Sequence, residues 1–377
     1  MRRVLLWSAA ATLTLVACGS SRPVVWREVK SRPAGPPAKT AAASAPSGVP
    51  STNVYANVMT PQIGPAGAGV TPRVYVPNSG SNTVDVIDPA TFQIVDHFDV
   101  GRVPHHIAPA WDMSRLYVDN TYGDSLTVID PHTGKPAGTV PVTDPYNLYF
   151  TPDGTKAIVV AERYRRLDFR DPHTWALIKS VPMPGRGVDH LDFSADGSYL
   201  LATTEFSGDL VKVDVNTMDV VGTMKLGSLP IDVKVSPDGS VFYITNQGTN
   251  GVSVVDPIAM KELAFIPTGP GAHGLFVSRD AKSLYVSNRL GGSISVIDMA
   301  TRKVTATWDI GGTPDMLQLS PDGTQLWASG RYSGAVYVVD TTTGKLLKTI
   351  PVGREPHGLT YFPQPGRFSI GHNGVYR

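Results

Sequence analysis

Histidine is the residue whose chemistry this chain concentrates. Of its nine histidines, His105, His106, His190, His273 and His357 fall in one recurring kind of loop, together with Asp189, Asp232 and Asp315. A second kind of loop carries Arg163, Arg289 and Arg331. A guanidinium is a planar fork that matches carboxylate or phosphate. Imidazole with carboxylate suits a divalent transition metal, for which His105, His273, His357 and Asp315 are the candidates. Tight metal spacings such as H-x-H or H-E-x-x-H are absent. His105 and His106 are adjacent on what reads as a strand, so their side chains are expected to diverge. There is no G-x-S-x-G elbow and no cysteine placed for catalysis, so an enzyme is the weaker expectation.

The elements that must position these residues repeat. An alternating apolar run closed by Asp recurs seven times, ending at Asp88, Asp130, Asp171, Asp214, Asp256, Asp298 and Asp340, with spacings of 42, 41, 43, 42, 42 and 42. Each period reads as four short strands separated by turns such as S-P-D-G (236–239, 320–323) and D-P-x-T-G (130–134). No segment has a 3.6-residue apolar period long enough for a structural helix. A period this regular predicts an all-β, seven-bladed β-propeller of four-stranded blades, since radial repetition leaves only short protected edges. The first period supplies strands two to four but no first strand, and an extra first strand, His357–Tyr361, follows the last. Together the two ends of the domain complete one blade and close the ring.

Closure puts His357 beside His105. An arc of His273, Asp315, His357 and His105 then lies next to Arg289 and Arg331, with Asp189, Asp232, Glu162 and Glu205 opposite. A concave mouth lined by convergent polar groups is the default site for a small ligand or a partner protein. His105, His273, Asp315, His357, Arg289, Arg331, His190, Asp189, Asp232 and Arg163 are the expected ligand-binding residues. The alternative is a strand-end role for these residues and a pure interaction scaffold. The third period departs from the others at Arg165, Arg166 and Arg170, which reads as an edge strand protected by charge, or else as a docking patch. Residues 367–371 resemble a further second strand that the ring does not accommodate.

YVPN (75–78), YVDN (117–120), YITN (243–246) and YVSN (285–288) resemble the YVTN-repeat β-propellers, over residues 71 to about 362. The resemblance implies the fold. For function it implies a surface or binding protein. Two more distant analogies widen the alternatives: the haem-binding propeller of periplasmic nitrite reductases and the metal-dependent propeller lactonases. A C-x-x-C-H haem attachment motif is absent.

Ahead of the repeats, Arg2 and Arg3 precede a 14-residue apolar stretch (4–17), which is short for a membrane span and suits a secretory signal. Leu15-Val16-Ala17-Cys18 resembles the bacterial lipobox, and Cys18 is the sole cysteine. Residues 1–17 are therefore expected to be a lipoprotein signal, with Cys18 lipidated and the protein held at a membrane outside the cytoplasm. Residues 18–70, rich in Pro, Ala and Gly, read as a disordered tether, and 71–377 as the propeller. The Gly-rich run 64–69 precedes no strand–helix unit, so it is no phosphate loop. A formal net charge of +1 gives no electrostatic reason to expect nucleic acid, and a monomer is expected.

Overall fold

The computed structural model describes residues 53–377. They form seven four-stranded antiparallel sheets arranged as a propeller. Blade 1 runs outward from Thr360–Phe362 through Arg73–Asn78 and Thr83–Asp88 to Gln93–Asp99, so the two ends of the domain close the ring as expected. Blades 2 to 7 begin at the innermost strands Pro104–Pro109, Asn147–Phe150, Val188–Phe193, Pro230–Val235, Ala272–Val277 and Pro314–Leu319. Inner strands are buried on both faces because neighbouring blades sandwich them. Outermost strands alternate, as Lys303–Asp309 does, because one face meets water.

The most regular sequence signal is turn chemistry. Each of the seven closing aspartates accepts backbone N–H groups two or three residues on, as Asp130 does from His132 (2.9 Å) and Asp340 from Thr343 (2.7 Å). The YxxN asparagines likewise turn into their own blades. Asn288 donates to Ser293 and Ser295, both at 3.0 Å.

Neighbouring blades are latched at the hub. Hydroxyls of second strands donate to the next innermost strand, as Thr203 does to the Ile231 carbonyl (2.7 Å) and Thr245 to the His273 carbonyl (2.5 Å). Asp192 accepts from Val235 N–H, and Asp232 from Leu275 N–H, both at 2.8 Å. These bonds occupy backbone groups that the innermost strand cannot pair within its own sheet.

Two segments differ from expectation. Residues 53–70, read as the end of a tether, pack on the propeller. Tyr55 is buried and donates to the Val235 carbonyl (2.9 Å), and Val54 N–H bonds to the Pro237 carbonyl (2.8 Å). Three large or branched apolar side chains, Tyr55, Val58 and Val70, give this stretch enough area to dock. Residues 367–377 form a hairpin inside the central channel. Arg367 N–H meets the Arg377 carbonyl (2.7 Å), and Ile370 N–H meets that of Val375 (2.9 Å). The hairpin is held by Phe150 N–H on the Ile370 carbonyl (3.0 Å), by Gln318 on the Gly374 carbonyl (2.9 Å) and by Arg377 on Asp192 (2.5 Å). The stretch resembling a spare strand is thus the first arm of a plug.

The arginines of the third period are also reassigned. Arg166–Arg170 is the third strand of blade 3, not an edge. Arg166 (2.9 Å) and Arg170 (3.5 Å) flank the fully buried Asp168, which also accepts from Ser180 (2.6 Å). Their charge is compensated inside the blade.

Candidate functional site at the channel mouth

In blades 2, 4, 5, 6 and 7 the register between the first two strands slips at the start of the innermost strand, for example between Pro104 and Ile107. Such a bulge lets two successive residues face the same way. It corrects the expectation that His105 and His106 diverge: both rings approach His357, with centroids 4.0 and 4.6 Å away. The hub therefore carries two stacked rings of side chains. The upper one is His105, Tyr146, Asp189, Ile231, His273, Asp315 and His357, one residue from each blade. The lower one includes His106, Asn147, His190 and Asp232.

Above the upper ring lies a cup of about 420 Å³, lined among others by His105, Tyr146, Glu162, Asp189, Glu205, His273, Arg289, Arg331 and His357. The upper ring forms its floor, and the turn Gly371–Gly374 of the plug lies beneath that ring. There His106 meets Asn373 (2.9 Å) and His372 meets Asn147 (3.0 Å). Tyr122, Phe206 and Tyr332 stand half-exposed or more on its rim.

One wall is basic. Asp315, fully buried, takes Arg289 Nε at 2.6 Å and Nη2 at 2.5 Å, and His357 Nδ1 lies 2.5 Å from its other oxygen. Burial pushes the Asp315 carboxyl up, but Arg289 outweighs it and holds it below the usual range. His273 bridges, with Nδ1 3.1 Å from Asp315 and Nε2 against Arg289. Arg331 Nη1 sits 2.7 Å from His357. Burial holds His105, His106, His273, His357 and His372 well below the ordinary imidazole value, so all five are neutral near pH 7.

The other wall is acidic. Burial, then the neighbouring Asp189, pushes Glu205 up to about 8, and burial and Asp144 raise Glu162. Burial opposes charge on His190, but Asp189, 2.9 Å from its Nδ1, wins and raises it.

The structure gathers His105, His273, Asp315, His357, Arg289, Arg331 and Asp189 at this mouth. It removes three expected members. His190 lies in the lower ring, beneath Asp189, and does not line the cup. Asp232 is a latch below the cup, bonded to Lys234 (2.8 Å) and to Leu275 N–H. Arg163 is tied by Asp144 (2.6 Å) and Asp124 (2.7 Å) and does not line the cup. The expected metal set is also rearranged. His273 and Asp315 belong to the arginine network, whereas the groups with ligand geometry are His105–His106–His357 and His106–His190–His372. His106 was discounted on strand geometry. His372 and Asn373 lie outside the repeats, and the glycine-flanked run G-H-N-G (371–374) was the only local sign of a tight turn there. Asp119 was also missed. It occupies the position of Thr203 and Thr245 in second strands, is fully buried, and has neither oxygen hydrogen-bonded, so burial raises it well above the carboxylate range.

Comparison with known proteins agrees with this architecture. The family described as YNCE-like beta-propeller matches residues 41–365. No curated protein matches the chain. Among solved structures, a functionally unknown protein from Desulfotomaculum acetoxidans has 15% identity and a TM-score of 0.68, covering 78% of this chain and 99% of its own. A putative 6-phosphogluconolactonase from Bacteroides fragilis has 19% identity and a TM-score of 0.63, covering 78% and 98%. The dihydro-heme d1 dehydrogenase NirN, in complex with DHE, has 18% identity and a TM-score of 0.60, covering 79% and 76%. At these identities the likeness is one of fold.

Proposed function

The chain belongs to the YNCE-like β-propeller family, and on that premise we propose that it is a binding protein whose mouth cup takes a small polar ligand. The observation that carries this reading is the division of the cup into two walls. Arg331 and Arg289 face one side, and Asp189, Glu205 and Glu162 face the other. A ligand with an anionic group at one end and a cationic or donor group at the other, such as a free amino acid or short peptide, satisfies both walls. The anion meets Arg331, whose fork is not taken by a carboxylate as that of Arg289 is. The aromatic rim supplies apolar surface to shield the bound molecule.

The test is thermal melting in chelator-containing buffer against a panel of amino acids, dipeptides and dicarboxylates. A ligand at 100 times its Kd stabilises the folded state by about 2.7 kcal/mol. We expect zwitterions to stabilise the wild type and to lose that effect in Arg331→Ala and Asp189→Asn. Stabilisation that survives both substitutions places the site elsewhere.

Secretion and lipidation at Cys18 complete the proposal, with the cup presented outside the cytoplasm. Their residues lie outside the described part of the chain. The support is the L-V-A-C sequence at 15–18 and the absence of any other cysteine. Among the described residues no helix is long and apolar enough to cross a membrane. Metabolic labelling with a fatty acid should mark the wild type and not Cys18→Ser.

A further inference from the structure

Beneath the cup, three imidazoles converge with nitrogens that no described residue engages. One nitrogen each from His105, His106 and His357 lies within 4.8 Å of the other two, and all three residues are buried. Nε2 of each is buried without a hydrogen-bond partner among the described residues. The opposite nitrogens explain why. His357 Nδ1 is engaged by the Asp315 carboxylate at 2.5 Å and by Arg331 Nη1 at 2.7 Å, so both of its contacts fall on the nitrogen opposite Nε2. His106 Nδ1 lies 2.9 Å from Asn373 Oδ1 and donates to it, which leaves the lone pair on Nε2. In both residues the protein engages Nδ1 and leaves Nε2 as the nitrogen turned to the cluster. A carboxylate or amide oxygen behind an imidazole is the arrangement that orients metal-ligating histidines.

We propose that His105, His106 and His357 form a three-histidine site for a divalent transition metal, with its open position facing the cup. A tetrahedral ion bonded at about 2.0–2.1 Å sets its ligand nitrogens about 3.3 Å apart, so the three rings draw in by about an ångström or less on binding. Borderline-soft ions suited to imidazole, zinc first, fit three neutral nitrogen donors. The neighbouring group His106–His190–His372 is the poorer site. His372 Nδ1 accepts from the Asn147 amide nitrogen at 3.0 Å, which puts the ring hydrogen on Nε2, and Asp189 beside His190 favours an imidazolium, which has no lone pair to give. The inference goes beyond the ligand reading. The cup can bind its ligand without metal, and the site can load without ligand.

The experiment is to strip the purified protein with chelator, dialyse it against zinc or cobalt, and measure metal per chain together with the cobalt absorption spectrum. The expected result is one ion per chain in the wild type and in His132→Gln, whose side chain lies on an outer turn. The ion should be absent from His106→Gln and His357→Gln, and bound about 10–100-fold more weakly by Asp315→Asn. If the histidine variants do not fold, copper loaded at one equivalent into the wild type decides by electron paramagnetic resonance. Coupling to three imidazole nitrogens supports the site, and coupling to fewer than three overturns it. A wild type that retains no metal, or a folded His106→Gln that retains as much as the wild type, also overturns it.

Discussion

The outer turns and the hub ring each take one residue from every blade, and they use those residues in opposite ways. On the outer turns all seven are aspartate, and each caps the turn that follows it. In the upper hub ring the seven are His105, Tyr146, Asp189, Ile231, His273, Asp315 and His357. The turn geometry recurs in all seven blades and the hub bulge in five, so geometry alone does not explain the contrast. What differs is the neighbourhood. An outer turn meets water, its own blade and at most the blade beside it, as where Lys212 reaches the Pro257 carbonyl (3.0 Å), while a hub residue faces side chains from blades all around one axis. Sameness among blades marks what every blade needs to fold, and divergence marks where the ring acts as a single site.

The hub should therefore be the costly place to cut. Asp315→Ala leaves Arg289 buried without its carboxylate and should destabilise the fold by about 3–5 kcal/mol, read as a lower urea midpoint. A loss under about 1 kcal/mol would mean that the arginine relaxes into the cup and that the wall is soft.

Asp119 sharpens the contrast from the other side. It is a hub-facing departure from the threonine of blades 4 and 5, with no partner for either oxygen among the described residues. Asp119→Thr restores a hydroxyl able to latch blade 3. Removing an unsatisfied buried carboxyl should stabilise the protein by about 1–3 kcal/mol in the same urea titration. Destabilisation instead would show that Asp119 carries a partnered proton in solution.

Seven blades and the ring closure were legible in the sequence because turn aspartates keep register and because one first strand was missing at the start and spare at the end. The hub membership of His105, His273, Asp315 and His357 was legible for the same reason: repeat phase places them. His106 was not, because a bulge has no residue signature here. The paired positions read His-His, Asp-His, Ile-Asp, His-Gly and Asp-Met in the five blades that carry it. The plug was not legible either, since residues 367–377 obey no repeat and only the closed channel gives them a place. Asp232 and Arg163 were misplaced for a third reason. Each has the right phase, but a nearer partner, Lys234 for one and Asp144 for the other, takes its side chain.

A smaller effect separates the two walls of the cup. Glu205 titrates near 8 in the folded protein against an ordinary 4.5. Its folded state holds the proton longer than the unfolded chain does, so this group makes stability fall as pH rises between about 4.5 and 8. Glu205→Gln should flatten that slope in melting curves taken across the range. An unchanged slope would mean that the acidic wall is fully hydrated.

The smallest effect belongs to the outer turns. Asp340→Ala removes one exposed cap and should lower the urea midpoint by only a small fraction of the Asp315→Ala loss, with ligand response unchanged. A comparable loss would erase the distinction between rim and hub.

The most direct test of the account is calorimetric titration of chelator-treated protein with the strongest stabiliser from the zwitterion panel. The account predicts one site per chain in the wild type and in Asp340→Ala, and no measurable heat in Arg331→Ala. Equal affinity in Arg331→Ala would contradict it.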